Sequence, residues 1–371
     1  MSVAAGKNRN SRPERLSYLQ RKGRRKQISQ TYWAEEHETE AFQSDMPLDL
    51  RLSLLQRHGD FSIAYSTAVQ PLLNHFGDDQ GYFAYRKRWG HTFVLGDAVA
   101  ANGHRADLLD RLISESRRLT FCQVAESTAR QLNDRGFLIN EMGYDTILDL
   151  DSYNFAGKEK EWLRYASNWT ARRGYQIKEV NFSQISPAQV EEVSEAWRKT
   201  RTVKSKEVRF LNRPILLRDE QDVRWFCLFT PEGSLVSFVV LDPIYRDGQV
   251  AGYVTVFKRR HPAAPQYAEP SVMKHLIEQL QSEGVAELRL GLSPLAEIDD
   301  AKSEFRHSPL TSSAFRFTFQ SKLTNKYFYH LAGHADYKRR FRGREEKVFF
   351  ASPTRFNVVR LMALVGLCGV A

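Results

Sequence analysis

Cysteine is scarce in this chain. Only Cys122, Cys227 and Cys368 occur among 371 residues, and their unrelated spacings make neither a disulfide framework nor a metal set. No zinc-ligand spacing, nucleophile elbow or P-loop is present, which removes zinc hydrolases, serine hydrolases of that type and P-loop nucleotide enzymes from the candidate classes. No stretch approaches the roughly 20 apolar residues that span a bilayer. The first residues lack the apolar core of a signal peptide. These shortages lead us to expect a cytoplasmic protein in a reducing compartment, free or peripheral at the inner face of a membrane.

What is abundant is apolar and aromatic material, 42% and 12% of the chain, enough for packed cores in the two domains that such a length suits. The net charge of +10 is unevenly spread. Residues 1–31 carry nine Lys and Arg against Glu14 alone, so the remainder is nearly neutral. Residues 1–45 therefore read as a disordered basic tail that associates weakly with polyanions or anionic lipid.

Helical periodicity is expected over 48–56 and 66–76, a hairpin over 81–97 turning near 87–90, helices over 108–119 and from Ser127 to Gly136, and strands at 121–124, 137–140 and 146–150. The second half restarts with a strand at 175–180, a helix at 187–199 and strands at 223–230, 234–242 and 250–257. After these come a basic turn (Lys258, Arg259, Arg260, His261), a helix with Val272, Met273, Leu276, Ile277 and Leu280 on one face, and a strand at 286–292. Both halves thus read as copies of one α/β module: 46–157, then a connecting helix over 158–174, then 175–371. The stretch 297–311 reads as an irregular acidic loop, and the apolar segment Val358–Val370 as a C-terminal core helix too short to cross a membrane.

Two dense groups of cations lie within the folded body. The helix over 158–173 carries Lys158, Lys160, Arg164, Arg172 and Arg173 among Trp162, Tyr165 and Trp169, an interleaving that suits RNA backbone and exposed bases, or else a solvated connecting face. From Arg316 to Lys347 there are nine cations against Asp336, Glu345 and Glu346.

The run GFLINEMGYDTILDL from Gly136 to Leu150, then Phe155 to Lys158, Leu163-Arg164 and Arg173-Gly174, resembles the C-terminal synthase domain of aminoacyl-phosphatidylglycerol synthases. LGLSPL (290–295) and YKRRF (337–341) resemble that family's later motifs, in order. The resemblance covers roughly residues 60–360. It implies two tandem acetyltransferase-like folds with mixed sheets, of which the second carries most of the reaction site. It also implies transfer of an amino acid from aminoacyl-tRNA onto a phosphatidylglycerol-type head group, with aminoacyl-tRNA as co-substrate and no bound cofactor. The expected partners are aminoacyl-tRNA and an anionic phospholipid or membrane surface, with no metal and no DNA. The chain departs from the pattern twice. Members are usually fused to a multi-pass flippase, which is not seen here, and they carry Asp where this chain has Val256.

Aminoacyl transfer needs fixed donors for an oxyanion and cations for phosphates. Arg259, Lys338 and Arg340 are the expected cationic groups, Arg for bidentate grip and Lys as a point charge. Asp242 and His261 are candidate bases, although Asp before Pro is also turn chemistry and a lone loop His is commonly solvated. Lys258, Arg260, Tyr253, Lys158, Arg164 and Arg173 are candidate substrate contacts. Two other readings stay open: an aminoacyl-tRNA- or acyl-CoA-dependent acyltransferase acting on a small-molecule or peptide amine, and a non-enzymatic RNA-binding protein. Coenzyme A is disfavoured because the segment after the central strand reads KRRHPAAP, with no glycine and two prolines that remove backbone donors.

Overall fold

The strands of this chain gather into one sheet, and the central ones are buried along nearly their whole length. The computed structural model describes residues 46–200, 209–322, 325 and 330–369. The basic tail expected over 1–45 lies outside the described residues. Chain order is α1 (Leu48–His58), α2 (Ala64–Val69), β1 (Asn74–Asp78), β2 (Gly81–Arg88), β3 (His91–Ala100), α3 (Asn102–Glu115), β4 (Leu119–Val124), α4 (Glu126–Asp134) and β5 (Leu138–Asp149). A helix, α5 (Glu161–Arg172), follows. The chain then continues through β6 (Gln176–Val180), α6 (Pro187–Lys199), β7 (Arg224–Phe229), β8 (Leu235–Arg246), β9 (Gln249–Arg260), α7 (Ala268–Ser282) and β10 (Glu287–Pro294). It closes with α8 (Pro309–Gln320), α9 (Leu331–Arg339), β11 (Arg344–Ser352) and α10 (Val358–Leu367).

The eleven strands form a single mixed sheet in the order β1-β2-β3-β4-β11-β5-β10-β9-β8-β7-β6. A repeat runs through it. An antiparallel meander, β1-β2-β3, leads through α3 to parallel β4, and β7-β8-β9 leads through α7 to parallel β10. The last strand of each repeat then pairs with the other repeat: β5 lies antiparallel to β10, and β11 antiparallel to β4. The two copies hold each other through these exchanged strands, with apolar layers on both sides of the sheet.

Several expectations change. The helix expected over 66–76 ends at Val69, and Asn74–Asp78 is an edge strand. The two strands expected at 137–150 are one long strand bent at Gly143. There φ is +123°, and a Cβ would stand 2.1 Å from the Ser293 carbonyl oxygen, so only glycine fits. The stretch 297–311 is pinned rather than loose: buried Asp300 accepts from the Glu141 amide at 2.9 Å and from Ser312, and the Ser308 hydroxyl caps α8. The basic segment 258–260 is not a turn; it finishes β9, and the chain leaves the sheet at His261.

Candidate active site

The site grows from one irregularity in β9. Leu241 of β8 pairs with Thr255 and Val240 with Phe257, which leaves Val256 as an extra residue, a β-bulge. A one-residue insertion exchanges the faces of everything beyond it. Phe257 joins the apolar layer of Trp225 and Phe238, while Lys258 turns toward Thr255. Beyond the bulge the parallel partner also departs: β9 and β10 pair only through 252–254 and 287–289. The strands part there, and the polar groups left along the gap are answered by side chains.

Thr255 Oγ1 donates to the Leu290 carbonyl oxygen at 3.1 Å and accepts from Lys258 Nζ at 2.8 Å. Lys338, reaching in from the end of α9, donates Nζ to the carbonyl oxygens of Gly291 (2.7 Å) and Leu292 (2.6 Å). Gly291 has φ +78°, which turns its carbonyl into the gap and favours glycine. Lys338 is 6% exposed. Burial pushes its ammonium down to about 7, the neighbouring charge of Lys258 pushes the same way, and Asp145 opposes both. Lys258 is also lowered, chiefly by burial, against the pull of Glu269 and Asp145. Asp145, on β5, is buried and its carboxyl is raised by that burial; Ser62 donates to its Oδ2, and Oδ1 has no hydrogen-bond partner among the described residues.

The geometry decides what Lys338 can do. Two of its N–H bonds are committed to carbonyls, so in the neutral amine the remaining direction is the lone pair. An amine lowered to about 7 and held by two hydrogen bonds has the chemistry a proton acceptor needs.

The other sequence candidates divide. Arg259 is buried with its guanidinium 3.6 Å from the Trp197 ring centre on α6, away from Lys258. The carboxylate of Asp242 is gripped by Arg213 at 2.7 and 2.9 Å, inside a fully buried group that also holds Glu220. A carboxylate so engaged is a structural counter-ion, and its offered role as base gives way to this one. His261 accepts from the Ala263 amide at 3.2 Å, and Arg260 donates to the Ala264 carbonyl at 2.7 Å, so both shape the loop after β9. Tyr253 is buried in the layer beneath α7, with the Arg224 guanidinium 5.4 Å from its ring centre. Arg164 donates to the carbonyls of Phe155 and Gly157, closing the turn before α5. Lys158 is exposed at that turn.

Beside the lysine pair, α5 makes two further contributions. Trp162 carries the Arg340 guanidinium 3.9 Å from its ring centre and touches Phe341, which joins the basic helix to the YKRRF segment. Trp169 carries the Arg173 guanidinium at 3.9 Å. Tyr165, Trp169 and Tyr267 meet at ring distances of 5.2 and 5.1 Å, and a cavity of about 340 Å³ opens along Tyr165, Asn168, Trp169, Arg172 and Arg173. Tyr267 stands two residues before Glu269, whose charge bears on Lys258. The start of α7 thus carries both a ring of the aromatic platform and a charge that acts on Lys258.

Sequence reasoning missed Asp145, Ser62, Thr255 and Glu269. Asp145 lay inside the GFLINEMGYDTILDL run, an acid amid strand-forming apolar residues. Nothing local marked Ser62 or Glu269. Among the described residues no His, Cys, Asp and Glu group could hold a metal, and no helix is long and apolar enough to cross a membrane.

Comparison with known proteins gives a consistent picture. The family model described as phosphatidylglycerol lysyltransferase, C-terminal, matches residues 52–352. The phosphatidylglycerol lysyltransferase of Bacillus subtilis (strain 168) is 21% identical over 311 residues, covering 78% of this chain and 35% of that protein. The chain therefore spans about a third of that relative's length. The structure of L-PGS from Bacillus licheniformis superposes with a TM-score of 0.70 at 18% identity, covering 88% of this chain and 98% of the other. A C-terminal domain of a putative lysylphosphatidylglycerol synthetase from Agrobacterium fabrum gives 0.68 at 16% identity, over 87% and 97%. FemX gives 0.51 at 9% identity, over 86% and 99%. These likenesses show the fold.

Proposed function

The chain belongs to the family of phosphatidylglycerol lysyltransferase C-terminal domains, and from that premise we propose that it transfers an amino acid from aminoacyl-tRNA to a hydroxyl of a phosphatidylglycerol-type head group. The observation that carries the mechanism is Lys338, doubly hydrogen-bonded to Gly291 and Leu292 and poised near neutrality. In the proposed reaction the head-group oxygen attacks the carbonyl carbon of the aminoacyl ester and its proton passes to Lys338 Nζ. Negative charge develops on the carbonyl oxygen, and we assign its stabilisation to the ammonium form of Lys258. The intermediate collapses by breaking the bond to the tRNA ribose oxygen, and that oxygen recovers the proton from Lys338. Aminoacyl-lipid and free tRNA leave, and Lys338 is again neutral.

The platform of Tyr165, Trp169 and Tyr267 flanked by Arg172 and Arg173 suits the unpaired end of a tRNA, whose bases stack on aromatic faces while cations meet its phosphates. The loop after β9 argues against coenzyme A. The amides of Ala263, Ala264 and Ala268 are consumed by His261 Nδ1, the His261 carbonyl and the Pro265 carbonyl, and Glu269 puts negative charge in the first turn of α7.

The test is direct. Purified protein, lysyl-tRNA carrying labelled lysine and phosphatidylglycerol should yield labelled lipid, and prior RNase treatment should abolish it. Acyl transfer from acetyl-coenzyme A without RNA would overturn the reading. The names of the relatives make lysine the first amino acid to try.

A further inference from the structure

α10 follows the segment matched by the family and has two apolar sides. Ala363, Leu364 and Leu367 pack into the layer over β2 and β3. The outward side is apolar as well: Val358 is 58% exposed, Val359 55%, Met362 49% and Val365 36%. The spacing is that of one helical stripe. Phe356 extends the stripe before the helix, and Trp89, 57% exposed at the β2–β3 turn, extends it beyond. The turn is seated against the helix, since a Cβ at Gly366 would stand 2.9 Å from the Arg88 guanidinium, and Arg88 lies 5.4 Å from the Trp89 ring centre. On the other side, Pro309 of α8 shares a cavity of about 600 Å³ with Arg306, Pro353 and Arg355, and its neighbour Leu310 is 63% exposed.

The segments that carry this surface are basic. Residues 84–96, 305–322 and 348–369 contain no Asp or Glu, while Lys87, Arg88, Arg306 and Arg355 lie among them. An exposed apolar stripe flanked by cations complements an anionic lipid surface, whose phosphates meet the cations while the stripe enters the acyl boundary. α10 is ten residues long, about 15 Å, which suits a helix lying in the plane of the interface.

We propose that α10, with Phe356 and the Trp89 turn, docks this protein on an anionic phospholipid bilayer. The choice of occupant rests on the lipid reading above. The face would hold the protein at the membrane that supplies its acceptor.

The test uses the full chain and flotation with phosphatidylcholine vesicles containing about one third phosphatidylglycerol, against vesicles of phosphatidylcholine alone. The protein should float with the anionic vesicles, and the double variant Val359→Asp/Met362→Asp should partition at least about tenfold less. Its transfer to soluble short-chain phosphatidylglycerol should match the parent's. Equal partitioning of variant and parent would overturn the proposal. A second measurement is independent of the variant's folding: the three native cysteines are buried, so Met362→Cys can carry a single environment-sensitive fluorophore. Its emission should shift to the blue on adding anionic vesicles, and an unchanged spectrum overturns the proposal. Concentration-dependent dimerisation of the parent, lost in the double variant while flotation persists, also overturns it, because the stripe is then a contact between copies. Failure of the enzymatic reading shows separately, as absence of transfer to soluble lipid by the parent with flotation unaffected.

Discussion

Arg213, Asp242 and Glu220 form one buried group of charges in this protein; Lys258, Lys338 and Asp145 form another. In the first, Arg213 is 1% exposed, and both oxygens of Asp242 receive its N–H groups while Glu220 takes a third. In the second, two lysines lie close together with one carboxylate, which is itself bound by Ser62. Burial is common to both, so burial alone does not set how firmly a group holds its proton. The difference is pairing. Opposite charges in good geometry fix each other's ionisation, whereas like charges buried together weaken each other's hold on protons.

That contrast can be broken by mutation, and the largest effect should fall on the second group. Lys338→Met should lower the rate of aminoacyl transfer by about 10²–10⁴-fold, the range for loss of a positioned general base. Its stability should fall by only about 1–3 kcal/mol, the cost of leaving the Gly291 and Leu292 carbonyl oxygens without their donor. Arg213→Met should do the reverse. It strands Asp242 and Glu220 without a counter-ion and should destabilise the fold by about 3–5 kcal/mol in denaturant titrations, with the folded fraction still active. If Arg213→Met leaves stability intact but removes activity, the two groups have been assigned the wrong way round.

Smaller effects sharpen the picture. Trp169→Ala should weaken use of aminoacyl-tRNA by about 1–3 kcal/mol, as expected for one lost stacking platform, while the KM for lipid stays put. Asp145→Asn removes the carboxylate that holds the proton on Lys338. The proton should then leave more readily, and the rise of activity with pH should move below about 7. A shift to higher pH would mean that the carboxylate does not face the amine as described. Arg259→Ala loses a stacked contact with Trp197 and should cost about 0.5–2 kcal/mol of stability. If it instead lowers turnover as much as Lys338→Met, the two faces of β9 serve a single reaction centre.

Much of the architecture could be read from residue patterns. The helix 187–199, the hairpin turning at 89–90, the strand–helix–strand unit around α7 and the basic helix after Gly157 follow from periodicity, N-cap and glycine signals that act locally. The exchanged strands could not be read, because β11 finds β4 across more than 200 residues and pairing at that range leaves no local trace. The bulge at Val256 was invisible for a related reason. Strict alternation would put Arg259 on the face of Tyr253 and Thr255, and one inserted residue gives that face to Lys258. Lys338 was legible through the YKRRF motif. Its partners Gly291 and Leu292 were legible through LGLSPL, but the gap that joins the two motifs is a property of the folded sheet.

The pH dependence of single-turnover transfer shows whether Lys338 works as a neutral amine. With saturating aminoacyl-tRNA and soluble phosphatidylglycerol, the rate should climb about tenfold per pH unit on the acid side, bend near the value of about 7 to which burial and Lys258 hold this group, and stay level above it. Lys338→Arg, which keeps the charge but cannot shed its proton, should lose both the activity and the bend. A rate that falls as pH rises through 7 would contradict the account, because the reaction would then require the ammonium form.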